Sequence, residues 1–154
     1  MKALFDLFGE SPVGVWLRES QIWFPLFEML HLAGLGVLLG SIVLLNGRFF
    51  GLGLRRETVA EVAEDLAPWT RLSLVVMAIS GFMLFCAKAP DLSGMDQGVF
   101  LTKMGLIAVG VVFHYRVQVP QARKQNFGAG RLAAAVSLLI WFGAAIVGLS
   151  LEFL

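Results

Sequence analysis

A few ionisable side chains stand well inside the longest apolar stretches of this chain. Glu28 and His31 lie in one stretch, Lys103 and His114 in another. Such groups are expensive in an apolar helix and persist there mainly at functional sites or in mutual pairs. Glu28 and His31 are three residues apart and share a helix face. Lys103 and His114 are eleven apart, close to three full turns, so one stripe carries Lys103, Ile107, Gly110 and His114. Neutral imidazole ligates iron, copper and zinc, and helix bundles build such sites between facing helices. Gly34 near His31 and Gly110 near His114 leave room for a flat ring against the backbone, although membrane helices also use glycine for ordinary close packing. Met77, Met83, Met104 and Cys86 are soft donors suited to copper, or else apolar filler.

Depth sorts these residues. In an up-down bundle the two stretches run in the same direction. At 1.5 Å per residue His31 lies about 12 Å below the starting surface, Glu28 about 8 Å, Lys103 about 6 Å and His114 about 22 Å. Glu28 and Lys103 are level, which suits either a neutralising charge pair or a direct role. His114 is followed by Tyr115 and Arg116 near the far edge and reads equally as an interfacial anchor or a ligand. A single metal held by both His31 and His114 requires strong helix tilt, because the two differ by about 10 Å in depth. His31, mid-span and far from either interface, is the leading ligand candidate. The candidate cofactor-binding set is therefore His31, Lys103, His114 and Glu28, with His31 and His114 as the metal ligands.

These side chains must be positioned by membrane helices. Of 154 residues 58% are hydrophobic and 15% charged, far from the balance of a soluble domain. Apolar runs near Trp23 to Leu45, Trp69 to Ala87, Val99 to Val119 and Leu132 to Leu151 each reach the roughly 20 residues that cross about 30 Å of hydrocarbon. Runs such as Leu72 to Val76 lack the alternation of a barrel strand, which leaves helices. The expected fold is all-α: one domain, residues 1–154, forming an up-down four-helix transmembrane bundle. Trp23, Phe24, Trp69, Phe100 and Trp141 read as aromatic belt or packing.

Asp6, Glu10, Arg18 and Glu19 interrupt the N-terminus, which is unlike a cleavable signal. Ser11-Pro12 is a helix-start signal, so residues 2–20 read as one or two short amphipathic pieces at the membrane surface, with a frayed leader the alternative for residues 2–10. Arg48, Arg55, Arg56 and Arg71 gather around the loop after the first span, and Arg116, Arg123, Lys124 and Arg131 around the loop after the third. The other side has Lys2, Arg18 and Lys88. Both basic loops are expected in the cytoplasm of a bacterial inner-membrane protein, with the loop from Ala89 to Gly98 and both termini outside. Thr58 with Glu61 is a capping box for a short surface helix ending near Pro68. Cys86 is alone, so neither an intrachain disulfide nor a thiolate cluster forms. The basic residues form a topology signal and not a nucleic-acid patch. Gly36 and Gly40 make a small-xxx-small pair suited to a homodimer or a larger membrane complex.

The segments Glu10-Ser11-Pro12, Leu17-Arg18-Glu19-Ser20, Phe24-Pro25-Leu26, Glu28, Leu30-His31, Gly34 and Gly40-Ser41, continued by Phe100, Lys103 and Phe113-His114, resemble a widespread bacterial family of uncharacterised four-helix membrane proteins. Where that pattern has an acidic residue near the end of the first helix, this chain has Asn46. More distantly the arrangement is similar to the four-helix protoporphyrinogen oxidase and to copper-resistance membrane proteins of the D type. The likeness to the oxidase family implies haem b associated with a first-helix histidine and a third-helix lysine, here His31 and Lys103. The resulting expectation is a haem b protein, an oxidoreductase component that transfers electrons with membrane quinone or a redox partner. The alternatives are a non-catalytic assembly subunit, whose buried polar residues fix packing, and a copper transport protein.

Overall fold

The computed structural model describes residues 2–53, 56–93, 97–124 and 127–153; Arg55 of the first basic loop and residues 94–96 of the loop after the second span lie outside them. The chain forms α1 (Lys2–Gly9), α2 (Pro12–Glu19), α3 (Trp23–Phe49), α4 (Val59–Lys88), a short 3-10 turn (Asp91–Ser93), α5 (Gln97–Phe113), a π turn (His114–Gln118), α6 (Val119–Lys124) and α7 (Phe127–Phe153). No strand occurs among the described residues. Four stretches, Trp23–Phe49, Val59–Lys88, Gln97–Lys124 and Gly128–Ser150, are long and apolar enough to cross a membrane. The protein is a multi-pass membrane helical bundle. Its outward surface is apolar, with Leu139 and Ile146 on α7 and Val112 on α5 all exposed, as expected where lipid is the solvent.

The spans pack α3 on α4, α5 on α7 and α3 on α7, which leaves α3 and α5 diagonal. At the end carrying the basic loops, Leu45, Phe49, Val59, Val62, Ala63, Ala122 and Ala134 form one apolar cluster. That cluster explains a difference from the expected surface helix. The Thr58–Glu61 capping box is present, but the helix it starts runs through Pro68 to Lys88 without a break. Pro68 removes one backbone hydrogen bond, while Val59, Val62 and Ala63 are already buried on the face that α4 presents along its length, so packing carries the helix across it.

At the opposite end, two N-terminal helices are folded onto the bundle where a frayed leader was the alternative. Ser11 caps α2, its Oγ accepting from the Gly14 N–H at 3.1 Å, and Pro12 occupies the first turn. Leu17 is fully buried. Arg18 donates from Nη1 to the Ala87 carbonyl and from Nη2 to the Gly9 carbonyl, both at 3.1 Å, tying α2 to α4 and α1. Gly14 is the point of closest approach. A Cβ there would stand 2.6 Å from the Cys86 carbonyl oxygen and 2.8 Å from that of Phe8. These are backbone atoms with little freedom to move, so Gly14→Ala should cost about 1–3 kcal/mol through overpacking. The measurement is thermal unfolding in detergent beside Gly36→Ala, where nothing lies within 4 Å of the added carbon. Equal melting temperatures for the two variants would contradict the docked arrangement.

Candidate functional site

His31 and Lys103, the first on α3 and the second on the diagonal α5, line a common cavity in the half of the bundle nearer the termini. The cavity has two lobes of about 250 Å³ and about 630 Å³, which share His31, Leu38, Met77, Lys103, Ile107 and Trp141. The larger is within the range of small-molecule and cofactor sites. Its wall is mostly hydrocarbon and aromatic, including Phe82, Phe85 and Phe100. The smaller lobe runs between α3 and α7 and includes Glu28 and Gly148. Three of the four sequence candidates thus meet at one site.

The His31 ring is held by α4. Ser80 Oγ donates to the Val76 carbonyl at 2.7 Å, which commits the hydroxyl proton. The Ser80 oxygen, 3.0 Å from His31 Nδ1, therefore accepts from an Nδ1–H. This assignment places the ring's lone pair on Nε2. A hydrogen bond at one nitrogen that orients the other is the usual outer-shell support of a metal-ligating histidine. Gly81 lies beside the ring: a Cβ there would be 3.0 Å from His31 Cε1. The sequence reading missed Ser80 and Gly81 because they belong to another helix; a polar residue followed by glycine in mid-span was the available signal.

Glu28 has a charge partner on the helix next to its own. Its Oε1 lies 3.5 Å from Lys88 Nζ, with both side chains about one-third exposed. Lys88 ends α4, the helix packed directly on α3, and Lys103 stands on the diagonal helix. At that exposure the pair contributes at most about 1 kcal/mol. Lys103 reaches towards α7, where a Cβ on Gly148 would meet its Cε at 3.1 Å.

His114 does not line the cavity. It is 4% exposed and belongs to a polar network nearer the basic end. Its Nδ1–H donates to Gln118 Oε1 at 2.8 Å, Ser137 Oγ donates to the same oxygen at 3.1 Å, and Gln118 Nε2 donates to Asn46 Oδ1. Gln118, Asn46 and Ser137 are fully buried. The π turn, closed by Val119 N–H on the His114 carbonyl, carries both His114 and Gln118 inward. His114 is thus neither an interfacial anchor nor brought beside His31, and its surroundings are those of a three-helix clamp.

The glycines expected to seat a ring are occupied by packing. Beside Gly34, Met77 Cγ would lie 2.9 Å from an added Cβ, and beside Gly110 the Trp141 ring would lie 3.2 Å away. Trp141, expected as belt or packing, is 3% exposed and lines both lobes, while Trp23 and Trp69 are exposed as belt residues are. Met77 and Met104 line the larger lobe. Cys86 is buried beneath α2. Among the described residues, no three of His, Cys, Asp and Glu gather as a metal-ligand group.

Comparison with curated proteins and with solved structures gives no significant match. Residues 18–154 match the model of a family of unknown function, DUF6644, a stretch that takes in all four spans and the cavity. With most of its length covered by that model, the chain belongs to the DUF6644 family of membrane proteins.

Proposed function

We propose that this protein is a haem b protein of the bacterial cytoplasmic membrane that passes electrons between a membrane quinone and a redox partner, with His31 as an axial ligand. The observation that carries the reading is the Ser80-oriented imidazole of His31 on the wall of a large, predominantly apolar cavity, with the Lys103 side chain on the same wall set. The residues present suit the group. His31 would hold the iron, Lys103 would stand near a carboxylate substituent, and Phe82, Phe85 and Phe100 would line an apolar face for a macrocycle. Haem b, when bound, supplies a reversible one-electron couple. The protein's part is to orient the imidazole through Ser80 and to surround the group with hydrocarbon. His114 stands outside this constellation.

A pyridine haemochrome assay on protein purified from cells grown with ample haem precursor tests the reading. Stoichiometric haem b is expected; colourless protein would end it. Colourless protein that copurifies with a larger complex would favour the assembly-subunit reading, for which the satisfied network around Gln118 is the supporting observation. The open backbone strip at Gly36 and Gly40 suits close contact with a second copy or another subunit.

The orientation proposed places both basic loops in the cytoplasm and both termini outside. Reporters fused to either terminus should then be active only in the external compartment. Cytoplasmic reporter activity at the C-terminus would reverse the orientation.

A further inference from the structure

Three seams of the bundle bring helix backbones together; along the fourth, among the described residues, α4 meets α5 through Phe85 and Phe100 at one end and α6 at the other, and the backbones of α4 and α5 stay apart between. The larger lobe lies behind that parted seam, with Ala78 and Phe82 of α4 and Met104 of α5 among its lining residues. All three are exposed, Phe82 by 52% and Met104 by 46%. At 1.5 Å per residue they sit about 9 to 15 Å along the helix axes from Lys88 and Gln97, at the level of hydrocarbon. A residue at that depth that lines a cavity and is also exposed marks an opening onto lipid.

Two other ends of the lobe are closed, and on its remaining side it continues into the smaller lobe between α3 and α7, where Leu32 and Leu149 are also exposed. Towards the termini, Phe85 stacks on Phe100 at 5.1 Å, and Phe5 of α1 lies edge-on to both at 5.3 and 5.8 Å. Phe8 packs on Phe82 and Phe85, and Arg18 secures the helix pair. Towards the basic end, α6 packs on α4 and the His114–Gln118 network joins α5 to α3 and α7. We propose that the cavity opens to the bilayer between α4 and α5 and takes its occupant from lipid, so that the occupant is a membrane-dissolved ring compound and not a solute from water. The identity of that compound as haem b rests on the reading above; the route does not.

Trp141 reports on the route because it lines both lobes. Of the four tryptophans, Trp16, Trp23 and Trp69 are each exposed by 46% or more, so Trp→Phe exchange at those three leaves Trp141 as the single indole emitter with little disturbance. In phosphatidylcholine vesicles, bromobenzene dissolved in the bilayer should quench its fluorescence several-fold more than iodide in the water. Filling the seam with Ala78→Phe and Met104→Phe should reduce the bromobenzene effect several-fold, judged on variants that elute and melt like their parent; if the pair does not fold, Ala78→Phe alone carries the comparison. Quenching by iodide as strong as by bromobenzene, absence of bromobenzene quenching, or quenching unchanged by the filled seam would each overturn the route. The filled variant grown with haem precursor should also lose its Soret band with His31 intact, and full retention would overturn the route for haem. Wild-type protein without a Soret band removes the haem reading, and the quenching comparison still decides the route.

Discussion

Exchange of His31 for Ala is expected to abolish the Soret absorbance that the proposed haem b would give the purified protein, while leaving the protein inserted and folded. The span Trp23–Phe49 keeps its apolar length without one imidazole, so insertion is unaffected. The side chain that would hold the iron is lost outright. Ser80→Ala tests the same site from the neighbouring helix. It removes the acceptor that holds His31 Nδ1–H and leaves the ligand in place, so haem retention should fall by about 10–100-fold, the usual effect of losing an outer-shell partner. His114→Ala should keep the Soret band, because His114 lies among Gln118, Asn46 and Ser137 and not on the cavity wall. A Soret band that survives His31→Ala, or that disappears only with His114→Ala, would remove His31 from the proposed role.

Gln118→Leu is expected to be among the most destabilising single changes in the bundle. Gln118 is the hub of the network. It accepts from His114 and Ser137 and donates to Asn46, and all four residues are buried. An interhelical side-chain bond in a membrane bundle is worth roughly 0.6 kcal/mol on average and about 1.7 at most, so three lost bonds amount to about 2–5 kcal/mol. Part of that loss is the cost of leaving buried groups without partners. Asn46→Leu added to Gln118→Leu should therefore cost much less than Asn46→Leu alone, a coupling that a double-mutant cycle reads directly. Unfolding in detergent with graded denaturant is the measurement. A Gln118→Leu protein within about 0.5 kcal/mol of wild type, or strictly additive changes, would show that the network does not act as a unit.

The parts of the site legible in the sequence were those that depend on one helix at a time. His31 was recognisable because a titratable ring in mid-span is costly, and Lys103 because its turn of the third span brings it level with the half of the bundle where His31 stands. Ser80, Gly81 and Trp141 carried no comparable signal. A serine in a membrane helix usually bonds its own backbone, as Ser41 does with Val37, and only the packing of α3 on α4 shows that Ser80 also meets His31. The same limit explains Glu28. Depth pointed to Lys103, and only the packing of α4 on α3 brings Lys88 to Glu28.

Sequence by itself determined the class of structure: apolar length sets the number of spans, because an unpaired backbone in hydrocarbon is too costly for anything but a helix or a closed barrel. It also determined local starts, since the Ser11 and Thr58 caps act within one turn of chain. Only the tertiary structure decided which spans are neighbours, how each is rotated, and therefore which polar groups meet. Two examples are the docking of α1 and α2 onto α4 and the inward turn of His114 and Gln118 at the π segment. The physical reason is that the spans are apolar nearly all round. With lipid as good a neighbour as another helix, the hydrophobic pattern selects no face, and the choice falls to close backbone approach at residues such as Gly14 and to buried hydrogen bonds such as those of Gln118.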